Sequence, residues 1–325
     1  MTSVKRFEKE TDFEYMLRLV LAKRNKDTNL GWDEIAELLG GNYGSAEYLR
    51  KLAYGIYEYD DYLNGNENKH VASRILCISD LHIPFHLPLE TFVKYKGKVD
   101  TLILNGDIVD MQGISKFQKS YRVSPMEELI EGRAFIISLL DYLKPKRVVA
   151  INGNHELRFG AYLAKHLDSD VLELMPNSPL ELIFMDGFKW YDKRQKQKID
   201  YKALDVVYPE IEFIYPDDWK YQMGDTIFAH PYTFSNQPLK TADKALDWFL
   251  KSGYQFENLV IAHTHKVGNY FLAGKGMYEQ GCLFDLKKNN YTDGKLTTPQ
   301  SCGYIYLEQN AKGSTVNVKQ EWIKN

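Results

Sequence analysis

The chain has 325 residues, of which 44% are hydrophobic, and a formal net charge of −3. This length suits one large catalytic domain plus a small one, and the apolar content excludes a wholly disordered chain. The charge gives no overall attraction to nucleic acid or to anionic membranes, so contact with a polyanion needs a local basic patch or bound cations.

The cysteines give no sign of a disulfide framework. Cys77, Cys282 and Cys302 are odd in number and lack the C-x-x-C spacing of structural zinc sites. This favours a reducing compartment. Residues 1–10 contain no apolar signal-peptide core, and no uncharged apolar stretch reaches the roughly 18 residues of a membrane span. We expect a cytoplasmic protein with no membrane partner.

The N-terminal segment has the pattern of short amphipathic helices. Apolar periodicity predicts a helix over residues 12–26 and a second over 32–39. The sequence Gly-Gly-Asn-Tyr-Gly at 40–44 predicts a turn, after which Ser45 can cap a third helix that reaches Tyr57. Two short helices joined by a Gly-containing turn resemble the helix-turn-helix of DNA-binding proteins.

The charge of this segment leaves its role open. Residues 1–70 contain 10 Lys and Arg against 13 Asp and Glu, although Arg50 and Lys51 would lie on the second helix of the pair. DNA binding and a packing or oligomerisation role are both alternatives. The polar residues 64–70 predict a linker. We therefore place a helical, helix-turn-helix-like domain at 1–68 and a second domain at 69–325.

The second domain alternates strands with helices. Apolar, β-branched runs predict strands at 74–78, 101–104, 147–151, 226–229 and 259–262. Helices are predicted at 87–96, 125–143, 155–167 and 238–251, and an irregular, Lys-rich segment at 174–216. This order is typical of a layered α/β domain.

Each of the five predicted strands is followed closely by a polar motif. In chain order the motifs are Ser79-Asp80-Leu81-His82, Gly106-Asp107-Ile108-Val109-Asp110, Gly153-Asn154-His155-Glu156, His230 and His263-Thr264-His265. Because α/β folds place their sites beyond the carboxyl ends of the strands, we expect these motifs to meet. Carboxylate, imidazole and amide ligands without a thiolate suit Mn, Fe or Zn.

This ordered set of motifs resembles that of the calcineurin-like metallophosphoesterase superfamily, over residues 74 to about 285. The resemblance implies a four-layer β-sandwich flanked by helices. It also implies hydrolysis of phosphate esters by a metal-activated hydroxide, with two divalent ions for which we favour Mn. Ala262 stands where many members have Gly. Met111 and Gln112 replace the Arg-Gly of the Ser/Thr protein phosphatase branch, which is therefore disfavoured.

The resemblance also implies a role for each motif residue. One ion would be held by Asp80, His82 and His265, and the second by Asn154, His230 and His263, with Asp107 bridging the two. His155 would stabilise or protonate the leaving oxygen. We expect Asp110 to orient a ligand histidine. Arg158, at the start of the following helix, would clamp a phosphate oxygen or make a surface salt bridge.

The ligands alone do not select a substrate, because monoesters, diesters, nucleotides and phosphoproteins share the same chemistry. The helix-turn-helix-like segment favours a phosphodiesterase or nuclease acting on nucleic acid. The alternative is a small-molecule or nucleotide phosphatase whose N-terminal domain serves assembly. A DNA-binding regulator with a relic metal site is disfavoured by the complete ligand set. We expect a phosphate-ester substrate and leave DNA binding and oligomerisation open.

Overall fold

The structure is a computed structural model that describes residues 5–24, 26–69, 71–116, 123–193, 195–289 and 298–324. The chain separates into two compact units, Met1–His70 and Val71–Asn325. Within the described residues, every helix falls short of the length and apolarity that a membrane crossing requires.

The N-terminal unit is helical. Its described helices are α1 (Asp12–Arg24), α2 (Trp32–Leu38) and α3 (Ala46–Lys69). Met16, Val20, Ile35 and Leu49 are fully buried and form one apolar cluster to which all of these helices contribute. The helical spacing of these side chains explains why short segments that are marginal alone fold together.

Ser45 precedes α3, and its Oγ accepts a hydrogen bond from the backbone N–H of Tyr48 at 3.3 Å. The helix then continues to Lys69, so the turn-rich linker predicted from residue 64 is wrong over residues 64–69, and His70 lies outside the described residues. Asn and Gly each cost a helix only about 1 kcal/mol or less, and adding residues to an existing helix is cooperative. Residues 39–45 connect α2 to α3, a longer connection than the three or four residues of most helix-turn-helix motifs. The helix-turn-helix stays a prediction.

The second unit contains two sheets and a separate hairpin. Its described strands are β1 (Ser73–Ile78), β2 (Thr101–Asn105), β3 (Arg147–Ile151), β4 (Phe188–Asp192), β5 (Gln197–Tyr201), β6 (Glu212–Ile214), β7 (Lys220–Met223), β8 (Thr226–Ala229), β9 (Asn258–Ile261), β10 (Val267–Leu272), β11 (Lys275–Gln280), β12 (Cys302–Gln309) and β13 (Thr315–Ile323). Its described α-helices are α4 (Pro125–Leu143), α5 (Leu157–His166), α6 (Ser169–Leu172), α7 (Pro179–Glu181), α8 (Leu204–Val207) and α9 (Lys240–Lys251).

The strand order of the first sheet is β13-β12-β1-β2-β3-β6, and that of the second is β10-β11-β9-β8-β7. Strands β1, β2, β3 and β6 are parallel neighbours, as are β8, β9 and β11. The carboxyl ends of parallel neighbours lie at one edge of a sheet. The motifs that follow β1, β2 and β3 are therefore brought together, and so are those that follow β8 and β9.

The side chains of the strands alternate between two apolar layers. Ile75 and Ile103 face the cluster between the sheets, where they join Phe228 and Val260 of the second sheet. The intervening residues of β1 and β2 pack in a second cluster with α4, and the outer face of β8 and β9 packs with α9. Period-two alternation with both faces covered gives helix, sheet, sheet and helix layers. The predicted four-layer fold is confirmed.

Two segments differ from their predictions. The helix predicted at 87–96 is a 3₁₀ helix over Leu89–Tyr95. The segment 174–216, predicted as irregular, contains the β4–β5 hairpin, in which Phe188 stacks on Tyr201 at 4.8 Å between ring centroids. Each of its strands contains one lysine and one aspartate, and these charged residues obscured the short strand pattern.

Candidate metal centre

The predicted ligands converge in two groups that share one residue. Within each group, the possible ligand atoms all lie within 4.8 Å of one another. The first group contains Asp80, His82, Asp107 and His265, and the second contains Asp107, His230 and His263. Asp107 therefore lies where a bridging carboxylate would be needed. We call these residues, together with Asn154, the metal centre.

In the first group, the side-chain nitrogens and oxygens face a common point. Nε2 of His265 lies 3.0 Å from Oδ1 of Asp80 and 3.2 Å from Nε2 of His82. Nε2 of His82 lies 3.8 Å from Oδ2 of Asp107. All of these side chains are buried or nearly so, with His265 the most exposed at 12%.

In the second group, His230 occupies the centre. Its Nε2 lies 3.4 Å from both Oδ2 of Asp107 and Oδ1 of Asn154. The ring of His263 lies 5.2 Å from the ring of His230, centroid to centroid. Nδ1 of His230 donates a hydrogen bond to the backbone oxygen of Asn105 at 2.8 Å, which holds Nε2 towards Asp107 and Asn154.

The chemistry of these residues fits divalent cations. Oδ1 of Asp80 and Nδ1 of His263 are buried and make no hydrogen bond within the described chain, although the former is close to His265. A buried polar atom without a hydrogen bond costs free energy, and a bound cation would remove that cost. The donor set of carboxylates, imidazoles and an amide oxygen suits Mn, Fe or Zn.

The proposed ligand histidines differ in protonation state in the free site. Burial and the neighbouring His155 lower the pKa of His82 to about 4, and burial lowers that of His263 to about 3. Both imidazoles are therefore neutral near pH 7, as metal ligation requires. Burial also acts to lower the pKa of His230, but the Asp107 carboxylate outweighs it and raises the value to about 9. His230 is therefore protonated near pH 7 in the free site, and a bound cation would have to displace that proton.

The backbone at the metal centre adopts an unusual conformation. Positive φ angles occur at the ligand positions Asp80 (52°), His82 (44°), Asp107 (52°), His263 (74°) and His265 (53°). Asp and His enter this region more readily than most residues, but each such position still costs about 1 kcal/mol or more. Strained residues gathered at one place are typical of a functional site.

Two glycines allow the loops of the metal centre to approach closely. A Cβ at Gly106, whose φ is +82°, would lie 2.4 Å from Nδ1 of His230. A Cβ at Gly153 would lie 2.2 Å from Oδ1 of Asp107. Side chains at these positions would displace the proposed ligands themselves, which explains why a glycine begins these two motifs.

His155 lies beside the metal centre, with Nε2 3.7 Å from Oδ2 of Asp107. Arg158 donates hydrogen bonds to Nε2 of His155 at 2.8 Å and to the backbone oxygen of Asp110 at 2.7 Å. Because a guanidinium only donates, Nε2 of His155 is the acceptor and Nδ1 carries the proton. Arg158 thus points into the site, with 16% of its side chain exposed.

Asp110 contacts two histidines. Its Oδ1 lies 2.7 Å from Nδ1 of His155 and 3.2 Å from Nδ1 of His82. Burial acts to raise the pKa of Asp110, but hydrogen bonds from these histidines outweigh it and hold the pKa well below its ordinary range. Asp110 is therefore ionised. These Nδ1 contacts orient both rings, so that each Nε2 faces Asp107.

Glu156 has a structural role that the sequence did not predict. Its buried carboxylate accepts hydrogen bonds from the backbone N–H groups of Asp107, Ile108, Val109 and Gly153 at 2.8–3.2 Å. It thereby ties the loop after β2 to the loop after β3. The sequence signal that could have indicated this role is the position of Glu156 at the end of the motif Gly153-Asn154-His155-Glu156, in which Asn154 and His155 were already assigned roles.

Gln300 was also missed. Its side-chain amide lies 2.7 Å from Nδ1 of His265 and so orients that ring. Gln300 belongs to no motif and lies 35 positions from its partner, so no sequence pattern indicates this contact.

Comparison with known proteins identifies the family. The model of the calcineurin-like phosphoesterases matches residues 73–267, a range that includes every predicted metal ligand. The chain belongs to the calcineurin-like phosphoesterase family. It is a metallophosphoesterase, a hydrolase that acts on phosphate esters, as the sequence motifs predicted. No curated protein sequence matched the chain.

Solved structures show weaker similarity. A Vps29 variant from Entamoeba histolytica is 12% identical over 77% of this chain and 99% of its own, with a TM-score of 0.36. A metallophosphoesterase from Sphaerobacter thermophilus is 14% identical over 78% and 89%, with a TM-score of 0.36. An archaeal phosphodiesterase is 17% identical over 77% and 99%, with a TM-score of 0.37. TM-scores this low do not support any conclusion about the activity of this chain.

Proposed function

We propose that this metallophosphoesterase uses two divalent ions, one on each side of Asp107. The observation that carries the proposal is that Asp107 belongs to both ligand groups. One ion would be held by Asp80, His82 and His265, and the other by Asn154, His230 and His263. We favour manganese, because the described ligand groups combine carboxylate oxygens, which are hard donors, with imidazole nitrogens, which are borderline donors, and they contain no thiolate.

Two such ions supply Lewis acidity to the phosphoryl oxygens and a water that is nucleophilic near neutral pH. The chain supplies the geometry. Glu156 fixes the loops that present Asp107 and Asn154, and Asp110 fixes the ring of His82. Little movement is then needed when substrate arrives, which is how a preorganised site lowers a barrier.

We assign His155 to the leaving oxygen. The Asp110 carboxylate stays ionised and can stabilise an imidazolium at His155, whose Nε2 would then hold the proton to be donated. Arg158 bonds to the same Nε2 in the structure. In the substrate complex this guanidinium would turn to a phosphoryl oxygen, since bidentate charge-assisted contacts to phosphate are the stronger ones.

The direct test of this function is metal-dependent hydrolysis of bis-(p-nitrophenyl) phosphate and p-nitrophenyl phosphate. Chelation should abolish hydrolysis and Mn²⁺ should restore it, with about two ions bound per chain by metal analysis. The matched control is Asp200→Asn, an exposed aspartate on β5. The proposal is wrong if the reconstituted protein binds no metal and hydrolyses neither ester.

For the substrate, we propose phosphodiesters of nucleic acid, with a monoester or nucleotide phosphatase as the alternative. The ratio of activities on the two nitrophenyl esters and on single- and double-stranded DNA separates these classes. A protein that hydrolyses only the monoester contradicts the diesterase proposal but leaves the metal centre intact.

A role of the N-terminal unit in DNA binding also remains a proposal. Arg50 is exposed on α3, whereas Lys51 is paired with Glu47 at 3.1 Å. Arg50→Gln in the full-length chain should weaken binding to duplex DNA. It should also reduce the slope of the logarithm of the binding constant against the logarithm of salt concentration by about one. The control is Lys244→Gln on α9. If both variants bind DNA as wild type does, the unit serves packing or assembly instead.

A further inference from the structure

A cleft of about 550 Å³ adjoins the metal centre. Its polar lining residues include Lys116, Asn154, Arg158, Tyr162, Lys165 and His166. We call it the α5 cleft, since most of these residues lie on that helix. Asn154 belongs to the metal centre, and Arg158 bonds to His155, so the cleft begins where the reacting phosphate would lie. Its volume suits a nucleotide-sized ligand.

The α5 cleft is a local basic patch in an acidic chain. Lys116, Arg158 and Lys165 line it, and no carboxylate does so among the residues that the structure describes. Lys116 and Lys165 are exposed and make no ion pair with the described part of the chain. Because the whole chain has a formal charge of −3, this patch is a specific feature of the site.

An aromatic surface lies next to these cations. Tyr162 is 42% exposed, and its ring packs on that of His166 with centroids 4.3 Å apart and planes 33° apart. Nδ1 of His166 also bonds to the backbone oxygen of Tyr162 at 2.7 Å. Arg158, Tyr162 and His166 are four residues apart on α5, so they form one stripe that runs about 12 Å from the metal centre.

We propose that the α5 cleft binds the nucleoside next to the scissile phosphate, with its base stacked on Tyr162 and the following phosphate paired with Lys116 and Lys165. Alternating aromatic and cationic side chains are typical of sites for unpaired nucleic acid. The inference rests on the proposed function and deepens it, because it specifies a nucleoside phosphate as the substrate. Free nucleotides and single strands share this chemistry.

The test compares two oligomers that differ only in their bases: a single-stranded oligothymidylate and an abasic deoxyribose-phosphate strand of equal length. Wild type should cleave the base-bearing strand with a kcat/KM about 10-fold to 100-fold higher, the range that stacking of one base provides. Tyr162→Ala should reduce this preference to about twofold, whereas Tyr162→Phe should keep it. Tyr191→Ala, at a tyrosine of β4 that is 54% exposed, is the matched control.

A second comparison distinguishes the source of the nucleoside. If single strands are the ligand, kcat/KM should rise from dithymidylate to octathymidylate. Lys116→Gln and Lys165→Gln should then each reduce the slope of the logarithm of the binding constant against the logarithm of salt concentration by about 0.7. Equal values for both lengths indicate free nucleotides. Either result is consistent with a nucleoside bound in the α5 cleft and distinguishes only its source.

Equal cleavage of base-bearing and abasic strands by wild type would overturn the inference. Metal-dependent hydrolysis of methyl p-nitrophenyl phosphate, which has no base, would then show that the proposed function survives. If no ester is hydrolysed, the proposed function fails. The affinities of the two labelled strands for the protein, measured by fluorescence anisotropy in the presence of chelator, then test whether the α5 cleft binds a nucleoside. A preference for bases that Tyr162→Ala removes supports the inference, and equal affinities overturn it.

Discussion

Oδ1 of Asp110 lies 2.7 Å from Nδ1 of His155, and both side chains are almost completely buried. This contact fixes the ring of a histidine that the metal centre does not need as a ligand. It directs Nε2 towards Asp107, where the leaving oxygen would lie. We therefore propose that His155 acts on the reaction rather than on ion binding, while Asp110 orients both His155 and the proposed ligand His82.

His155→Ala should lower kcat by about 10²–10⁴-fold, the usual contribution of a general acid, with the metal content unchanged. Steady-state kinetics with metal analysis of the same samples measures both quantities. The defect should be smaller for p-nitrophenolate than for an alkoxide leaving group, because the better leaving group needs less protonation. A loss of metal in proportion to activity would instead identify His155 as a ligand.

Asp107→Asn should reduce activity and metal content more than Asp80→Asn. The first substitution removes a charge that faces both ions, whereas the second affects mainly one. Metal analysis should find both ions weakened in Asp107→Asn and about one lost in Asp80→Asn. Circular dichroism controls for folding. Equal metal loss in the two folded variants contradicts the bridging role.

Glu156→Gln should destabilise the loops after β2 and β3. The substitution places an amide N–H₂ against backbone N–H groups or leaves them without a charged acceptor, and hydrogen bonds to charged groups contribute about 1.5–3 kcal/mol. We expect a lower Tm and weaker metal binding, measured by thermal unfolding with and without Mn²⁺. Glu90→Gln, at an exposed glutamate, should change neither. An unchanged Tm in Glu156→Gln would remove the structural role assigned to this carboxylate.

Gly106→Ala should weaken metal binding, because the added methyl group would lie 2.4 Å from Nδ1 of His230. Overpacking of this kind costs about 1–3 kcal/mol. Gly97→Ala is a matched control, since Gly97 has a similar φ of +63° but nothing within 4 Å of the added Cβ. Backbone strain should affect both variants, and loss of metal only Gly106→Ala. Equal effects in thermal unfolding and metal titration would mean that the contact with His230 is unimportant.

The sequence predicted the parts of the fold that depend on local periodicity. The strands before Asp80, Asp107 and Asn154 are buried on both faces, so their apolar runs are unambiguous. The strands β10 and β11 were not predicted. The residues of β10 are exposed or half-buried, so they show no alternating pattern, and β11 is largely buried but contains Lys275, Gly276 and Glu279, which interrupt an apolar run.

The convergence of the motif residues was predictable from the sequence, but the contacts that support them were not. Glu156 bonds to backbone groups some 48 positions away, and any residue can supply a backbone N–H. The same holds for Asn105, whose backbone oxygen orients His230. Such contacts depend on the tertiary arrangement of loops. The α5 cleft depends on it too, because Lys116 and Tyr162 line the same cleft only when the chain is folded.

The most direct test of the two-ion account is anomalous X-ray scattering from crystals of the protein loaded with Mn²⁺. We predict two anomalous peaks about 3.5–4 Å apart, one on each side of the Asp107 carboxylate. One would be bounded by Asp80, His82 and His265, and the other by Asn154, His230 and His263. A single peak, or a peak among His82, Asp110 and His155, would contradict the account.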